Sequence, residues 1–316
     1  MFRDPDLEHL KQTATVVGPV MPEDGPAFSQ ALAEATVLIT GWGTPAMSSD
    51  LLNAAPKLKL LAHSAGSVKH LAKEIVYDRG IRVTTAAAMN AVPVADFTLA
   101  AIVSLLKQLP WIGSAYARGD LDEVHRRRPH VRELADIDVG IIGASRIGRL
   151  VIQRLRSFVN VTIKLYDPHL TDAQCAGLGA QKASLEEVCR CEVVSVHAPN
   201  LPETRHMIDA QHLALLPDHA VFVNTARGAL VDETALAAQL HRRPIYAALD
   251  VTDPEPPAAD SPLRSAPNLL LTPHIAGAMQ QARKEMGKLV IDETLRFLNN
   301  QPLQHEVTRA MIATQA

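Results

Sequence analysis

Residues 139–151 read VGIIGASRIGRLV, and the fold of the chain turns on them. A β-branched run ends at Gly143, a second glycine follows at 148, and helical spacing takes over beyond it. A strand, a glycine turn and a helix in that order form a cradle for the pyrophosphate of a dinucleotide. The usual spacing is G-x-G-x-x-G, and here the middle position is Ser145. Gly143 serves the tight turn and Gly148 the close packing of helix on strand, while Ser145 must let a phosphate approach. Serine is among the least bulky replacements, and its hydroxyl brings a donor of its own. The loop's candidate contacts are Gly143, Ser145, Arg146, Ile147 and Gly148.

The strand beyond this helix strengthens that reading. It runs VTIKLYD and ends at Asp167, 24 residues after Gly143. That is the position of the acidic residue that accepts from a ribose 2′-hydroxyl and repels a 2′-phosphate, so NAD is expected rather than NADP. Strand-like runs DVGIIG, VTIKLYD, EVVSVHA, AVFVNTA, YAALDV and NLLLTP then alternate with helical or loop segments. This rhythm suits a doubly wound parallel sheet.

Toward the N-terminus, TVLIT, LKLLAHS and IRVTTA read as strands, with helices over 47–55 and 68–78. A longer helix is expected over 94–107, closed by Pro110. Residues 111–138 are polar and weakly periodic and read as a crossing between domains, with Arg126, Arg127 and Arg128 on a solvated face. Residues 1–12 look helical, so either the first strand of this domain is missing or TATVVGPVM belongs elsewhere in the sheet. Residues 279–300 form one amphipathic helix, and the tail after it is expected to pack on the first domain. The expected fold is α/β, with a Rossmann NAD-binding domain (94–286) inserted into a flavodoxin-like substrate domain (1–93 and 287–316).

Composition narrows the function. A net charge of −3 and a pI near 6.5 give no electrostatic case for nucleic acid or an anionic membrane. The start, MFRDPDLEHL, is charged from its third residue, unlike a secretory signal, and no uncharged apolar run is long enough for a membrane span. Cys175, Cys189 and Cys191 do not make a disulfide framework or a zinc site, and read as buried small residues. His63, His70, His197 and His206 are too scattered for a metal site. A cytoplasmic protein without a metal is expected.

Three motifs at strand ends carry the chemistry. Arg227 follows AVFVNTA, with Gly228 beside it; Glu255 lies in LDVTDPEPP, five residues after Asp250; His274 follows NLLLT. Loops at the carboxyl ends of parallel strands converge on the ligand crevice. Arginine offers a planar pair of donors matched to a carboxylate. Histidine exchanges a hydroxyl proton near neutral pH, and a carboxylate beside it orients the ring and stabilises the imidazolium. Together these groups suit hydride transfer at a small 2-hydroxy or 2-keto acid.

These motifs resemble the D-isomer-specific 2-hydroxyacid dehydrogenase family from about residue 37 to 300. The resemblance implies D stereochemistry, Arg227 on the substrate carboxylate, His274 as acid/base and Glu255 as its partner. It places Asp250, Thr225, Ala226, His274 and Gly277 near the cofactor. In VSVHAPNLPETRHMI it places His197, Ala198 and Pro199 along the cofactor, with Thr204 supporting the following helix. In AHSAGSVKHL it implies that backbone N–H groups of Ala65 and Gly66, with Ser67, meet the substrate carboxylate. Trp42 in TGWGT is a candidate pocket wall. The chain departs from the family pattern at Ser145, at Val68, where aspartate is frequent, and at Asp96, where glutamate is commoner. The resemblance implies that the helix carrying Asp96 contributes to a homodimer interface, and that a cleft closes around the hydride. A cofactor-sensing interaction protein of the corepressor kind, and a degenerate member with weak NAD binding, remain as alternatives. Formate dehydrogenase ranks low, because no asparagine- and isoleucine-based pocket is recognised in the first domain.

Overall fold

The computed structural model describes residues 1–312. The chain divides into two compact units, one made of Met1–Asn90 with the chain from Ala278 onward, the other of Ala91–Gly277.

The first unit has a parallel sheet in the order β1 (Val37–Thr40), β2 (Leu60–His63), β3 (Arg82–Thr85). Alternation along the strands sends neighbouring side chains to opposite faces. Leu61 and Val83 pack against Leu32, Leu52 and Val76 from helices Pro26–Glu34, Ser49–Ala54 and Glu74–Asp78. Leu60 and Ala62 meet Met286, Leu289 and Val290 of helix Gln280–Leu298 on the other face. Both faces are therefore covered by helices, as a parallel sheet requires.

The open question at the start of this unit is settled in favour of a missing strand. Residues TATVVGPVM enter neither sheet among the described residues. Helix Asp4–Thr13 instead packs Leu10 on Ile291 and Leu295 of helix Gln280–Leu298. The expected helix over 68–78 is shorter, Glu74–Asp78. The tail does return to this unit. Val307 N–H donates to Val83 O at 2.8 Å, and Glu306 takes two hydrogen bonds from Arg82. The return falls at Ala278 rather than at 287, because the whole of helix Gln280–Leu298 builds this unit's core.

The second unit holds a seven-stranded parallel sheet. Its strands are β4 (Asp138–Ile142), β5 (Thr162–Tyr166), β6 (Gln181–Lys182), β7 (Val193–Val196), β8 (Val221–Asn224), β9 (Tyr246–Leu249) and β10 (Leu269–Leu271). Their order is β10-β9-β8-β7-β4-β5-β6, so the winding reverses between β4 and β7. The two-residue edge strand β6 is an addition to the six expected; it is too short and polar to carry a periodic signal. Val139, Ile141, Leu165 and Val223 face one core with Ile102, Leu105, Val151 and Leu155. Ile142, Val194, Phe222 and Leu249 face the other with Val188, Leu213 and Leu236. Gly140 lets helix Leu185–Cys189 approach β4, since a Cβ there would lie 2.5 Å from Val188 O.

Residues 111–138 are not a crossing between domains. They lie inside the second unit and contain most of helix Leu109–Ala117 and all of helix Leu121–Arg127. Pro110 does not close a helix but stands in the first turn of one, where its missing N–H costs no hydrogen bond. Arg126 is solvated as expected, but the Arg127 side chain is only 13% exposed. It pairs with Glu123, donates to Asn268 and Gln108, and stacks over Trp111.

The long helix runs over Ala87–Leu106, beginning before Pro93 rather than after it. By length and composition it is apolar enough to cross a membrane. In this fold it is a core helix: Ala95, Ala101, Ile102, Leu105 and Leu106 are buried, and Asp96 accepts from Arg154 Nε at 2.7 Å. Cys175, Cys189 and Cys191 are free and buried. Burial pushes the Cys189 and Cys191 thiols up to about 12 and about 11, consistent with inert core residues.

Candidate active site

The reversal of strand order gathers the carboxyl-end loops of β4, β5, β7, β8, β9 and β10 at one edge of the second unit's sheet. The second unit's cofactor and catalytic candidates sit in these loops.

After β4, Gly143 adopts φ +92°, and a Cβ on it would lie 2.8 Å from both N and Cα of Ala198. Ala198 and the adjacent His197 thus form the floor on which the turn rests. A Cβ on Gly148 would fall 2.1 Å from Gly143 O, so the helix start and the turn touch without side chains between them. Ser145 has φ −61°, which any residue adopts, so glycine is not needed there for conformation. Its hydroxyl oxygen accepts from Gly148 N–H at 3.3 Å and caps helix Arg146–Leu155. The hydroxyl proton remains available to a ligand. Backbone N–H groups of Arg146 and Ile147, in the first turn, make no hydrogen bond among the described residues. A cradle that side chains would fill, topped by two unpaired donors at a helix N-terminus, fits a dinucleotide pyrophosphate.

Asp167, after β5, accepts from Ala144 N–H at 2.8 Å and His169 N–H at 2.9 Å. It therefore ties the glycine turn to the next strand and keeps lone pairs for a ribose hydroxyl. His197 is 2% exposed; its Nε2 meets Ser195 Oγ at 2.9 Å and its Nδ1 has no partner among the described residues. Burial pushes its imidazole down to about 3, so the ring is neutral. Thr204 does not support the following helix, which Asp209 caps. Its hydroxyl lies within the preceding turn, donating to Pro199 O at 2.7 Å and accepting from Leu201 N–H at 2.8 Å.

The catalytic candidates come together after β8, β9 and β10. His274 has φ +54° and puts Nδ1 2.7 Å from Glu255 Oε1. The carboxylate only accepts, so Nδ1 carries the proton and Nε2 is left for substrate. The two side chains are 49% and 41% exposed. The Arg227 guanidinium is half-buried and makes one hydrogen bond among the described residues, Nη1 to Ala226 O at 2.6 Å. Burial pulls it below the usual arginine value, and the Glu255 charge opposes that shift. Thr225 is anchored by Thr98, their hydroxyls 2.8 Å apart.

Asp250 is fully buried, and its carboxylate builds the loop that carries His274. It accepts from Thr272 Oγ1 at 2.7 Å, Ile275 N–H at 2.8 Å and Ala276 N–H at 2.9 Å. His274 N–H donates to Asp250 O at 2.9 Å. Gly277 is the last residue of the unit. Two supporting residues carried no sequence signal of their own. Asn224 braces the arginine turn, accepting from Ala226 N–H at 3.0 Å and donating to Arg227 O at 2.8 Å. Glu233 accepts from Asp253 N–H at 2.9 Å.

In the first unit, Ala65 O and Gly66 O accept from the Thr85 hydroxyl, while the N–H groups of Ala65, Gly66 and Ser67 make no hydrogen bond among the described residues. Asn90, which no sequence motif singles out, lies beside Gly66 with its buried Oδ1 unpartnered among the described residues. Trp42 is 52% exposed, with the Arg283 guanidinium 5.7 Å above its ring.

Residues 99–276 match the family model of the D-isomer specific 2-hydroxyacid dehydrogenase, NAD binding domain. D-3-phosphoglycerate dehydrogenase of Methanocaldococcus jannaschii is 31% identical over 281 residues, 88% of this chain and 52% of that relative. The enzyme of the same name from Mycobacterium bovis is 34% identical over 271 residues, 84% of this chain and 50% of its own. The chain spans about half the length of the curated relatives it matches. Among solved structures, apo D-mandelate dehydrogenase of Rhodotorula graminis superposes with a TM-score of 0.84 at 25% identity, covering 97% of this chain and 94% of that one. A D-lactate dehydrogenase of Treponema pallidum gives 0.76 at 25% identity, covering 97% and 98%.

Proposed function

The chain belongs to the D-isomer specific 2-hydroxyacid dehydrogenase family, and from that premise we propose that it interconverts a small D-2-hydroxy acid and its 2-keto acid with NAD(H). The observation that carries the reading is the Glu255–His274 pair, 2.7 Å apart, with a guanidinium at Arg227 that has donors to spare. When bound on the glycine loop, NADH supplies the hydride from its nicotinamide ring. Arg227 holds the substrate carboxylate and polarises the keto oxygen through its remaining N–H groups. His274 Nε2 moves the proton to and from the substrate hydroxyl. Glu255 fixes the ring's tautomer and stabilises its cationic form. Gly143, Ser145, Arg146, Ile147 and Gly148 hold the pyrophosphate, Asp167 the ribose, and the N–H groups of Ala65, Gly66 and Ser67 the substrate carboxylate, with Trp42 beside the substrate. The reading includes a homodimer, supported by the exposed Leu109, Tyr116 and Leu121 on two helices of the second unit. It also includes a cytoplasmic setting, supported by three free cysteines.

The test is NADH oxidation by the purified chain with a panel of 2-keto acids. Removing the guanidinium (R227A) is expected to raise KM and lower kcat together, and removing the imidazole (H274A) to lower kcat by roughly 10²–10⁴ with little change in KM. If both variants match wild type on the best acid, these residues do not form the site.

A further inference from the structure

Glu233 opens helix Glu233–Arg242 but does not cap it; Asp232 does, accepting from Ala235 N–H at 2.9 Å. The Glu233 carboxylate turns instead to the loop after β9 and accepts from Asp253 N–H at 2.9 Å. That loop is a short turn with its own internal bond, Thr252 Oγ1 to Pro254 O at 2.9 Å. Asp253 points its own carboxylate away, to Arg205 Nη1 at 2.8 Å. Two residues on, Glu255 reaches His274. We infer that Glu233 is a positioning residue: by holding the Asp253 N–H it fixes the 252–255 turn, and with it the carboxylate that grips the His274 ring. The inference rests on the catalytic reading of Glu255 and His274.

The setting of Glu233 makes the hold sensitive to its charge. Burial pushes its carboxyl up to about 7, the Asp253 charge adds to that rise, and the Asp253 N–H opposes it. The charged group that acts on it is Asp253, itself paired with Arg205. An ionised carboxylate is a stronger acceptor than a protonated one, so the turn is held more firmly as Glu233 ionises.

The experiment uses the full chain labelled with ring-15N histidine, the His274 resonances being identified by their loss in H274N. In E233A the turn is released, Glu255 no longer stays against the ring, and the 15N shifts of His274 Nδ1 and Nε2, well separated while Nδ1 alone carries the proton, converge as the two tautomers exchange. E233Q keeps an acceptor for the Asp253 N–H, though a neutral and weaker one, and leaves the two shifts well separated. If E233A does not fold, E233D, which shortens the reach by one methylene, takes its place. In steady-state kinetics E233A loses about tenfold in kcat with KM for the keto acid nearly constant, and E233Q recovers most of that loss. The inference is overturned if the His274 15N shifts in E233A equal those of wild type, or if E233Q is as impaired as E233A. A wild-type chain that reduces no 2-keto acid would refute the function alone, since the 15N shifts still report whether Glu233 holds the pair.

Discussion

Gly228 and Thr252 meet backbone to backbone: a Cβ on the glycine would lie 2.1 Å from the Thr252 carbonyl carbon. The loop that carries Arg227 and the turn that carries Glu255 are therefore stacked with nothing between them. This contact brings an arginine and a glutamate from different strands into one site. A methyl group here must push backbone rather than a flexible side chain. G228A is expected to cost about 1–3 kcal/mol of stability by overpacking. The same variant should lose kcat more than a surface glycine variant such as G113A, whose added Cβ meets nothing within 4 Å. Urea unfolding and steady-state kinetics of the two variants check this.

Asp250 is placed to do structural work for catalysis. Its two oxygens take three donors from the segment that presents His274. D250N offers one acceptor oxygen and puts an NH2 where the other was, leaving a buried N–H unsatisfied. A loss of about 1–3 kcal/mol in unfolding free energy is expected, with kcat falling in parallel. Unchanged kcat with reduced stability would separate the loop's folding from its role in presenting His274.

The glycine loop gives a graded series. At Gly143, where φ is +92° and the Ala198 backbone blocks a Cβ, alanine should weaken NADH binding by roughly tenfold or more. At Ser145 the loss is of a helix cap. S145A should destabilise by about 1 kcal/mol and S145G by only a few tenths. NADH fluorescence titration of S145G should give a Kd no weaker than wild type, because glycine suits the approach of a phosphate at least as well as serine.

His197 should shape acid stability. Its folded value, near 3, lies below the ordinary 6.5, so the unfolded chain binds a proton there that the native chain excludes. Its contribution is fully present above about 6.5 and is lost as pH falls toward 3. His63 in the first unit acts in the same direction; its burial, with the His70 charge adding, lowers it to about 4. The slope of unfolding free energy against pH between 4 and 6.5 should be shallower in H197N than in wild type. Equal slopes would show that His197 is protonated in the native state.

Much of this site was legible as residues at strand ends. Gly143, Gly148 and Asp167 were readable because each answers a local demand of a strand–turn–helix unit. Arg227, Glu255 and His274 were readable because each follows a short apolar strand-like run, and parallel strands bring such ends together. Glu233 and the full role of Asp250 were not readable, since each acts by accepting backbone hydrogen bonds from another loop or turn. Such partners are set by tertiary contact and leave no periodic trace. The helices over 109–127 were missed because each is short and charged residues from Arg118 to Glu123 divide them; Trp111 and Arg127 are tied down by side chains distant in sequence. The start of the first unit was ambiguous because TATVVGPVM carries β-branched residues like a strand, yet pairs with neither edge of the three-stranded sheet among the described residues.

The central claim is that Arg227, Glu255 and His274 carry out hydride chemistry on a 2-keto acid. The direct measurement is transfer of deuterium from NADH deuterated at nicotinamide C4, in each stereochemical form in turn, to a panel of 2-keto acids. The product is analysed by mass spectrometry and chiral chromatography. The account predicts label at C2 of one or more acids, in the D enantiomer, from one of the two forms, with transfer sharply reduced in H274A. NADH that binds with a measurable Kd but passes no label to any acid, or label appearing in the L enantiomer, would contradict it.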